Sequence, residues 1–442
     1  MSKKLLSALL ILTASFTTLV ACGASEDTAS DSGSVYYLNF KPEVAELWND
    51  IAEKYTAETG VPVKVVTAAG GEYESTLKSE MAKKGAPTLF HINGPMGYIS
   101  WQDYCSDLSA VPFYDTLTDK SLAILGEDGG VYGLPLAIEG YGIIYNEAIL
   151  DKYFALSNAK VKSLAEVTNF DTLKTLAEDI QANKDALGIE GAFAATSLLP
   201  GEDWRWQTHL LNMPIYGEFK DKGVNDLDVI EFTHSNEFKN IFDLYINNST
   251  TTPTLLSAKG VMDSMAEFAL GQAAMVQNGN WAWGQIADIP GNTVKAEDVK
   301  FLPIYTGLEG EENLGLPIGN ENYLAINSQT SELNQQATID FVNWLLTSET
   351  GKNEMVNTLG NIAPYSTFSD DEKPQDPLAQ SLLTHMENGK PSVTWVFPMF
   401  PSQTFKNDVG ASLMEYAQGT KTWADVESTV VDGWATQKAL IK

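Results

Sequence analysis

Two tryptophans separated by one small residue, Trp281 and Trp283, follow the sequence Asn278-Gly279-Asn280. A glycine-containing turn ahead of them would leave the indoles only partly packed. A flat indole can cover the apolar face of a ring-shaped ligand, while nearby amide and carboxyl groups hydrogen-bond its polar rim. We therefore predict a stacking site that includes Asn280, with Trp281 facing a cleft and Trp283 partly in the core.

The segment 201–206, GEDWRW, has the same combination of aromatic and charged side chains. Pyranose sugars suit such a site, because one face of the ring carries C–H groups and its rim carries hydroxyls. Pockets for small polar molecules combine apolar walls with a few placed polar groups. We predict that Asp203 and Trp204 lie in the cleft and that Trp206 is partly structural.

The sequence contains none of the local motifs of common catalytic chemistries. The G-x-x-x-x-G-K-[ST], H-E-x-x-H and G-x-S-x-G patterns are all absent. The histidines, His91, His209, His234 and His385, lack the spacing of metal ligands, so each is expected to be packed or on the surface. We predict no catalytic residue, no metal site and no cofactor, although the many carboxylates do not exclude a glycosidase pair by number alone.

The elements that must position these side chains begin with alternating strands and helices. Short apolar runs at 35–38, 61–66 and 88–92 predict strands. Between them, apolar residues at helical spacing predict helices over 42–60 and 72–84. This order is typical of an α/β fold with a parallel sheet.

Ligands of such sheets gather at the carboxyl ends of the strands. The candidates at these ends are Asn39, Phe40, Lys41, Glu72, Tyr73, Asn93 and Gly94. Farther on, the extended segment 134–146 contains a single acid, Glu139, which we expect to face a cleft, and Tyr141 follows it. Later helices are predicted over 170–183, 237–246, 264–270 and 335–346.

The N-terminus has the features of a bacterial lipoprotein signal. Two lysines precede an apolar run over 5–20, which is too short for a membrane span, and a small residue precedes Cys22. We predict a signal peptide over 1–21, a lipidated Cys22 and a flexible tether over 22–34. The protein would then be anchored at the outer face of the cell membrane, with Cys105 as its only free thiol.

The acidic composition limits the class of partner. The formal net charge is −30, which repels nucleic acid and anionic lipid headgroups. It also disfavours phosphorylated or carboxylated ligands, because few arginines are available to build a basic pocket. A neutral or cationic ligand fits this balance better.

Three segments together resemble the extracellular solute-binding proteins of carbohydrate ABC transporters. They are DGGVYGLPLAIEGYGIIYNEAIL, FALGQAAMVQNGNWAW and NWLLTSETGKNEMVNTLGNIAPY. The resemblance covers the chain from about Val35 to the C-terminus. It implies an α/β fold with two lobes, the type II periplasmic-binding-protein fold, in which several hinge crossings join the lobes and a sugar binds between them.

The same resemblance implies lobe boundaries and ligand contacts. One lobe would comprise 35–138 and 306–347, and the other 142–302 and 351–442, with crossings near 138–142, 302–306 and 347–351. Sugar would be bound by Glu139, by residues 39–43 (which include Glu43), by Asn93 and Gly94, and by stacking on Trp281. The implied partners are an oligosaccharide and the permease subunits of an ABC importer, and the binding protein is expected to be a monomer.

Two alternatives remain open from the sequence. An extracellular glycosidase would hydrolyse the oligosaccharide instead of releasing it unchanged. The same fold could instead bind a cation such as a polyamine, which the aromatic and acidic content permits.

Overall fold

The structure, a computed structural model, describes residues 32–69 and 71–441. The predicted signal peptide, Cys22 and most of the predicted tether lie outside the described residues. Within the described part of the chain, no helix combines the length and the apolar character that a membrane span needs.

The described residues form two β-sheets with helices packed around them. The strands are β1 (Val35–Asn39), β2 (Val63–Thr67), β3 (Leu89–Asn93), β4 (Ile124–Leu125), β5 (Val131–Pro135), β6 (Glu139–Asn146), β7 (Gly191–Phe193), β8 (Ala273–Gly279), β9 (Val299–Leu302), β10 (Pro317–Gly319), β11 (Asn322–Ile326) and β12 (Val393–Thr394). The α-helices are α1 (Ala45–Thr59), α2 (Tyr73–Met81), α3 (Gly94–Trp101), α4 (Pro112–Asp115), α5 (Glu147–Phe154), α6 (Phe170–Ala182), α7 (Lys184–Leu187), α8 (Asn212–Lys222), α9 (Ser235–Asn247), α10 (Val261–Ala269), α11 (Ala282–Ala287), α12 (Glu332–Thr347), α13 (Glu349–Asn353), α14 (Pro377–Glu387), α15 (Gln403–Ala417) and α16 (Trp423–Ile441). Two π-helical segments cover Arg205–Leu210 and Glu354–Thr358.

The first sheet has the strand order β2-β1-β3-β11-β5-β4. The strand β1 pairs in parallel with both β2 and β3, which confirms the predicted strand–helix alternation. The helix α1 forms because Trp48, Ile51 and Tyr55 share one buried face, and it ends at Gly60, whose φ is 76°. These elements and their core constitute the first lobe.

The second sheet has the order β12-β10-β6-β8-β7, and β9 also pairs with β6. The long strand β6 runs antiparallel to β8, β9 and β10 and so holds the centre of this sheet. A separate core that includes Phe242, Phe405 and Trp434 covers it. These elements constitute the second lobe.

The chain first changes sheets between Pro135, the end of β5, and Glu139, the start of β6, close to the predicted crossing at 138–142. The second predicted crossing, at 302–306, is wrong. The strand β10 pairs with β6 in the second sheet, whereas β11 pairs with β3 in the first sheet. The change of sheet therefore falls at 320–321, because Ile304 and Tyr305 remain buried in the core of the second lobe.

The third predicted crossing, at 347–351, is also too early. Met355 and Tyr365 are buried in the core of the first lobe, and the Tyr365 hydroxyl donates to the Pro135 carbonyl at 2.7 Å. The next helix, α14, packs through Leu378 and Leu382 onto the second lobe. The chain thus returns to the second lobe after Phe368, which packs against the first core.

Candidate functional site

A cleft of about 1090 Å³, part of it open to solvent, lies between the two lobes. Both sheets and the segments that join them contribute to its walls. The lining residues are Phe40, Lys41, Pro42, Glu43, Ala69, Gly71, Tyr73, Glu74, Asn93, Glu139, Gly201, Trp204, Gln207, Thr208, His209, Trp281, Glu321, Asn322, Trp395, Gln403, Lys406 and Asn407.

The first wall of the cleft consists of first-lobe residues that follow β1, β2 and β3. Because these strands are parallel neighbours, their carboxyl ends meet at one edge and bring Phe40, Tyr73 and Asn93 together. Asn39 is buried at the end of β1 and holds the next turn: its amide donates to the Lys41 carbonyl at 2.7 Å and its oxygen accepts from the Lys41 amide at 3.1 Å. Asn39 therefore positions Lys41 toward the cleft.

Lys41 and Glu139 form an ion pair across the first crossing between the lobes. The Lys41 ammonium also lies 5.3 Å from the centre of the Trp281 ring. Burial by itself would lower the pKa of Lys41, but the charges of Glu139, Glu43 and Glu321 together hold that pKa above its ordinary value. Glu43 lines the cleft, where the surrounding walls remove part of the hydration of its carboxylate and so raise its pKa. Lys41 thus stays charged, and Glu139 already balances that charge.

The second wall consists of four aromatic side chains of the second lobe. The ring centres of Trp204 and Trp281 are 6.0 Å apart, and His209 lies 5.1 Å from Trp204 and 5.5 Å from Trp281. Trp395 continues the wall at 6.0 Å from His209. Burial lowers the pKa of His209 well below its usual range, so this ring is neutral and packs as an aromatic group.

The segment Asn278-Gly279-Asn280 is not the turn that the sequence suggested, because Asn278 and Gly279 belong to β8. The indole of Trp281 instead lies over the backbone of Gly279. A Cβ on Gly279 would come within 2.2 Å of that ring, so the glycine allows Trp281 to fold back against the strand. Asn280, the next residue, links the end of β8 to β6, since its side-chain oxygen accepts from the Gly140 amide at 3.0 Å.

A π-helical segment, Arg205–Leu210, presents Gln207, Thr208 and His209 to the cleft. Widened turns of this kind interrupt helices and are frequent at functional sites. Behind it, the Trp206 indole donates to the Ser197 carbonyl at 2.9 Å. Trp206 is therefore fully in the core.

Seven of the predicted site residues lie outside the cleft lining, and two of them are Asn39 and Asn280, whose structural contacts are given above. Glu72 is exposed and accepts from the Ser75 hydroxyl, while Tyr141 is fully buried and stacks on His209 with ring centres 4.4 Å apart. Asp203 is buried behind the second wall, and burial raises its pKa to about 6. The other two are Gly94, where a Cβ would lie 2.4 Å from the Pro398 Cβ of the opposite lobe, and Trp283, which is half-buried against the core of the second lobe.

Several lining residues were missed by the sequence reasoning. Gln403, Lys406 and Asn407 lie on α15 with helical spacing, which places polar groups on one face and is the signal that could have drawn attention to them. Glu321 and Asn322 sit at the second crossing, whose position was mispredicted. Glu74, His209 and Trp395 carried no local signal for the cleft.

The side chains that most often bind metals in proteins are those of His, Cys, Asp and Glu. Across 32–69 and 71–441, there is no cluster of three His, Cys, Asp or Glu side chains with the geometry of a metal site. Cys105 is buried, which raises the pKa of its thiol to about 12 and keeps it protonated.

Curated relatives match parts of this chain. The melibiose/raffinose/stachyose-binding protein MelE of Bacillus subtilis (strain 168) is 27% identical over 139 residues, which is 30% of this chain and 32% of MelE. The maltodextrin-binding protein MdxE of the same organism is 29% identical over 182 residues, 36% of this chain and 43% of MdxE. The matched stretches span less than half of either relative.

Solved structures match over nearly the whole chain. A chitin oligosaccharide binding protein is similar with a TM-score of 0.72 at 18% identity, covering 92% of this chain and 100% of that chain. RafE in complex with raffinose is similar with a TM-score of 0.70 at 16% identity, covering 92% and 99%. At these identities the likeness shows the fold alone, and it confirms the two-lobe type II architecture. The sequence profile of bacterial extracellular solute-binding proteins matches residues 50–380, most of the chain, and this protein therefore belongs to that family.

Proposed function

We propose that this protein captures a neutral oligosaccharide in the cleft between its lobes and delivers it to an ABC importer. The observation that carries the proposal is the second wall, where Trp204 and Trp281 lie side by side at 6.0 Å. Paired indoles of this kind suit the apolar faces of pyranose rings. The family binds solutes outside the cytoplasm, so a glycosidase is not proposed.

The ligand contacts divide by chemistry. Trp281 provides the main stacking surface. Glu139 accepts hydrogen bonds from sugar hydroxyls while Lys41 balances its negative charge, and Asn93 adds a polar group from the first wall. Hydrogen bonds to a charged carboxylate are stronger than hydrogen bonds to a neutral acceptor.

The names of the relatives support a sugar as ligand. MelE is named for melibiose, raffinose and stachyose, and MdxE for maltodextrin. The similar structures are named for chitin oligosaccharide and raffinose. All of these ligands are oligosaccharides without acidic groups, which agrees with a neutral ligand for this chain.

The charges of the cleft also bear on its ligand. Four carboxylates, Glu43, Glu74, Glu139 and Glu321, and two ammonium groups, Lys41 and Lys406, line it. This excess of negative charge opposes acidic sugars and is the specific observation that favours a polyamine as the second candidate.

Delivery requires a form that the importer can recognise. We propose that ligand binding favours a closed arrangement of the two lobes, that the protein acts as a monomer, and that lipid on Cys22 keeps it near the permease. Replacing Cys22 with Ala should release the protein into the medium. Retention in the membrane fraction would contradict the anchor.

Calorimetric titration tests the proposed function. Raffinose, maltotriose and spermidine are titrated into the protein separately, and the sugar solutions are analysed afterwards for hydrolysis. We expect one of the sugars to bind and to remain intact. Binding of spermidine alone would replace the sugar proposal with the polyamine proposal, and hydrolysis would overturn both.

A further inference from the structure

The two lysines of the cleft differ in how their ammonium groups are used. Lys41 donates to Glu139 in a closed ion pair. Lys406, which is 7% exposed, has its nearest carboxylate oxygen, Glu321 Oε1, at 3.8 Å. That separation is too long for a hydrogen bond. Across residues 32–69 and 71–441, no protein group accepts a hydrogen bond from Lys406 Nζ.

A buried ammonium group without a hydrogen-bond acceptor destabilises the folded protein unless another group, such as a ligand, accepts its hydrogen bonds. A buried ammonium group loses hydration, and an ion pair without hydrogen bonds recovers only part of it. Burial accordingly lowers the pKa of Lys406, against the charges of Glu321 and Glu74. The N–H groups of Lys406 therefore remain available on the lining of the cleft.

Glu321 is held in a matching position. One of its carboxylate oxygens accepts from the Asn93 amide at 2.7 Å, which fixes the side chain at the second crossing between the lobes. Lys406 belongs to α15 of the second lobe, and its Phe405 and Val409 neighbours anchor that helix in the core. The Lys406 ammonium group and the Glu321 carboxylate are thus fixed independently, one by α15 and the other at the second crossing, and they do not hydrogen-bond to each other.

We propose that Lys406 and Glu321 form a clamp for two adjacent hydroxyl groups of one sugar ring. One hydroxyl accepts from Lys406 Nζ, and its neighbour donates to the Glu321 carboxylate. Adjacent ring hydroxyls present an acceptor and a donor side by side. They can lie alongside Lys406 Nζ and Glu321 Oε1, which are 3.8 Å apart, without breaking an existing hydrogen bond. A sugar carboxylate would instead meet Glu321 and Glu74 and be repelled. This inference rests on the proposed function and adds a selective residue pair to it.

A double-mutant cycle tests the clamp. Calorimetry with raffinose and with maltotriose compares the wild type, Lys406→Met, Glu321→Gln and the double variant. Each single variant should weaken binding of the recognised sugar by about 10-fold or more, the scale for hydrogen bonds to charged groups. The double variant should be little weaker than either single variant, because both side chains hold the same pair of hydroxyls.

Lys438→Met serves as the matched control. Lys438 is also buried in the second lobe and pairs with Asp226 at 2.7 Å, but it does not line the cleft. This variant should lose stability on heating and keep the wild-type affinity. Melting curves without sugar show whether each variant is folded before it is titrated.

Two results would overturn the clamp while leaving the proposed function intact. One is undiminished sugar affinity in Lys406→Met, and the other is strict additivity of the two single losses. If the wild type binds neither raffinose nor maltotriose, the clamp is overturned together with sugar binding. Tight binding of digalacturonate by the wild type would contradict the predicted rejection of acidic sugars.

Discussion

The first wall of the cleft consists of residues that directly follow neighbouring parallel strands, whereas the second wall consists of aromatic side chains from segments far apart in the chain. Phe40 and Asn93 illustrate the first kind, since Phe40 follows the last residue of β1 and Asn93 is the last residue of β3. His209 and Trp395 illustrate the second, since one lies on a π-helical turn and the other follows a two-residue strand. Strand ends assemble a polar wall from local sequence, and core packing assembles the aromatic wall.

The chemistry of the walls follows from this difference. Loops at strand ends leave backbone and side-chain polar groups free for a ligand. The aromatic wall is the outer layer of a hydrophobic core, so its rings are fixed by the residues behind them, as Tyr141 is stacked on His209. Changes behind the second wall should therefore alter stability, and changes on either wall should alter affinity.

The largest expected effect concerns Asp203, which is buried behind the second wall. Its pKa in the folded protein is about 6 against an ordinary value of 3.8. Between these values the unfolded chain ionises while the folded protein keeps the proton, so the folded state loses stability as pH rises from about 4 to about 6. Asp203→Asn lacks this titration, and the stability of the wild type relative to it should fall by about 3 kcal/mol over that range.

Chemical denaturation of both proteins at pH 4 and at pH 7 measures this difference. Asp179→Asn is the control, because hydrogen bonds from Tyr153 and Lys160 outweigh burial and lower the pKa of Asp179. Its contribution is present above the unfolded pKa and is lost as pH falls, so the control should show the opposite trend. Parallel pH profiles for the wild type and Asp203→Asn would contradict the assignment.

The second prediction tests stacking on the second wall. Trp281→Ala should weaken sugar binding by about 2 kcal/mol, because an aromatic platform and its buried area are lost. Trp283→Ala is the matched control: its ring packs on the core of the second lobe, so stability should fall and affinity should not. Titration and melting of both variants separate the two roles, and a reversed pattern would show that Trp281 is the structural member of the pair.

The third prediction tests the polar contacts of the first crossing. Glu139→Gln keeps the shape of the side chain but removes the charge that Lys41 balances. Sugar affinity should fall by about 1.5 kcal/mol, the scale for a hydrogen bond to a charged group. Glu147→Gln removes a surface partner of Lys300 outside the cleft and should change affinity little. Equal affinities for the wild type and Glu139→Gln would place Glu139 outside the ligand contacts.

The smallest expected effect concerns closure, where the two walls approach each other at Gly71 and Gly201. A Cβ on Gly71 would lie 3.1 Å from the Gly201 Cα, so Gly71→Val should disfavour the closed form. Small-angle scattering of the chain from Val35 onward should show a smaller radius of gyration with saturating sugar, and a smaller change in the variant. A ligand shifts this equilibrium only if it binds the closed form more tightly.

Gly60→Val controls for backbone strain in this experiment. Its φ of +76° is close to the +73° of Gly71, but a Cβ there would meet nothing within 4 Å. Both variants carry a cost of about 1–2 kcal/mol for a left-handed residue. Only the Gly71 variant should resist closure. A scattering profile that does not move when sugar binds the wild type would contradict lobe closure altogether.

Prediction from the sequence succeeded where local pattern decides structure. A helix over 42–60 was predicted from apolar residues at helical spacing, and it is confirmed as α1, which ends at Gly60. The positions of the second and third crossings were wrong, because a short strand such as β10 has no pattern that tells one sheet from the other. The glycine turn before Trp281 was wrong as well, since the strand pairing of Gly279 with Tyr141 overrides the local turn preference.

The amino-acid sequence by itself determined the alternation of strands and helices, the polar strand ends, the aromatic residues at 204 and 281, and the resemblance to solute-binding proteins. These depend on residues close together in the chain. Only the tertiary structure decided that Trp395 continues the aromatic wall and that Lys406 faces Glu321 at 3.8 Å. Those contacts join segments that are brought together by the burial of two separate cores, and the sequence of neither segment specifies its partner.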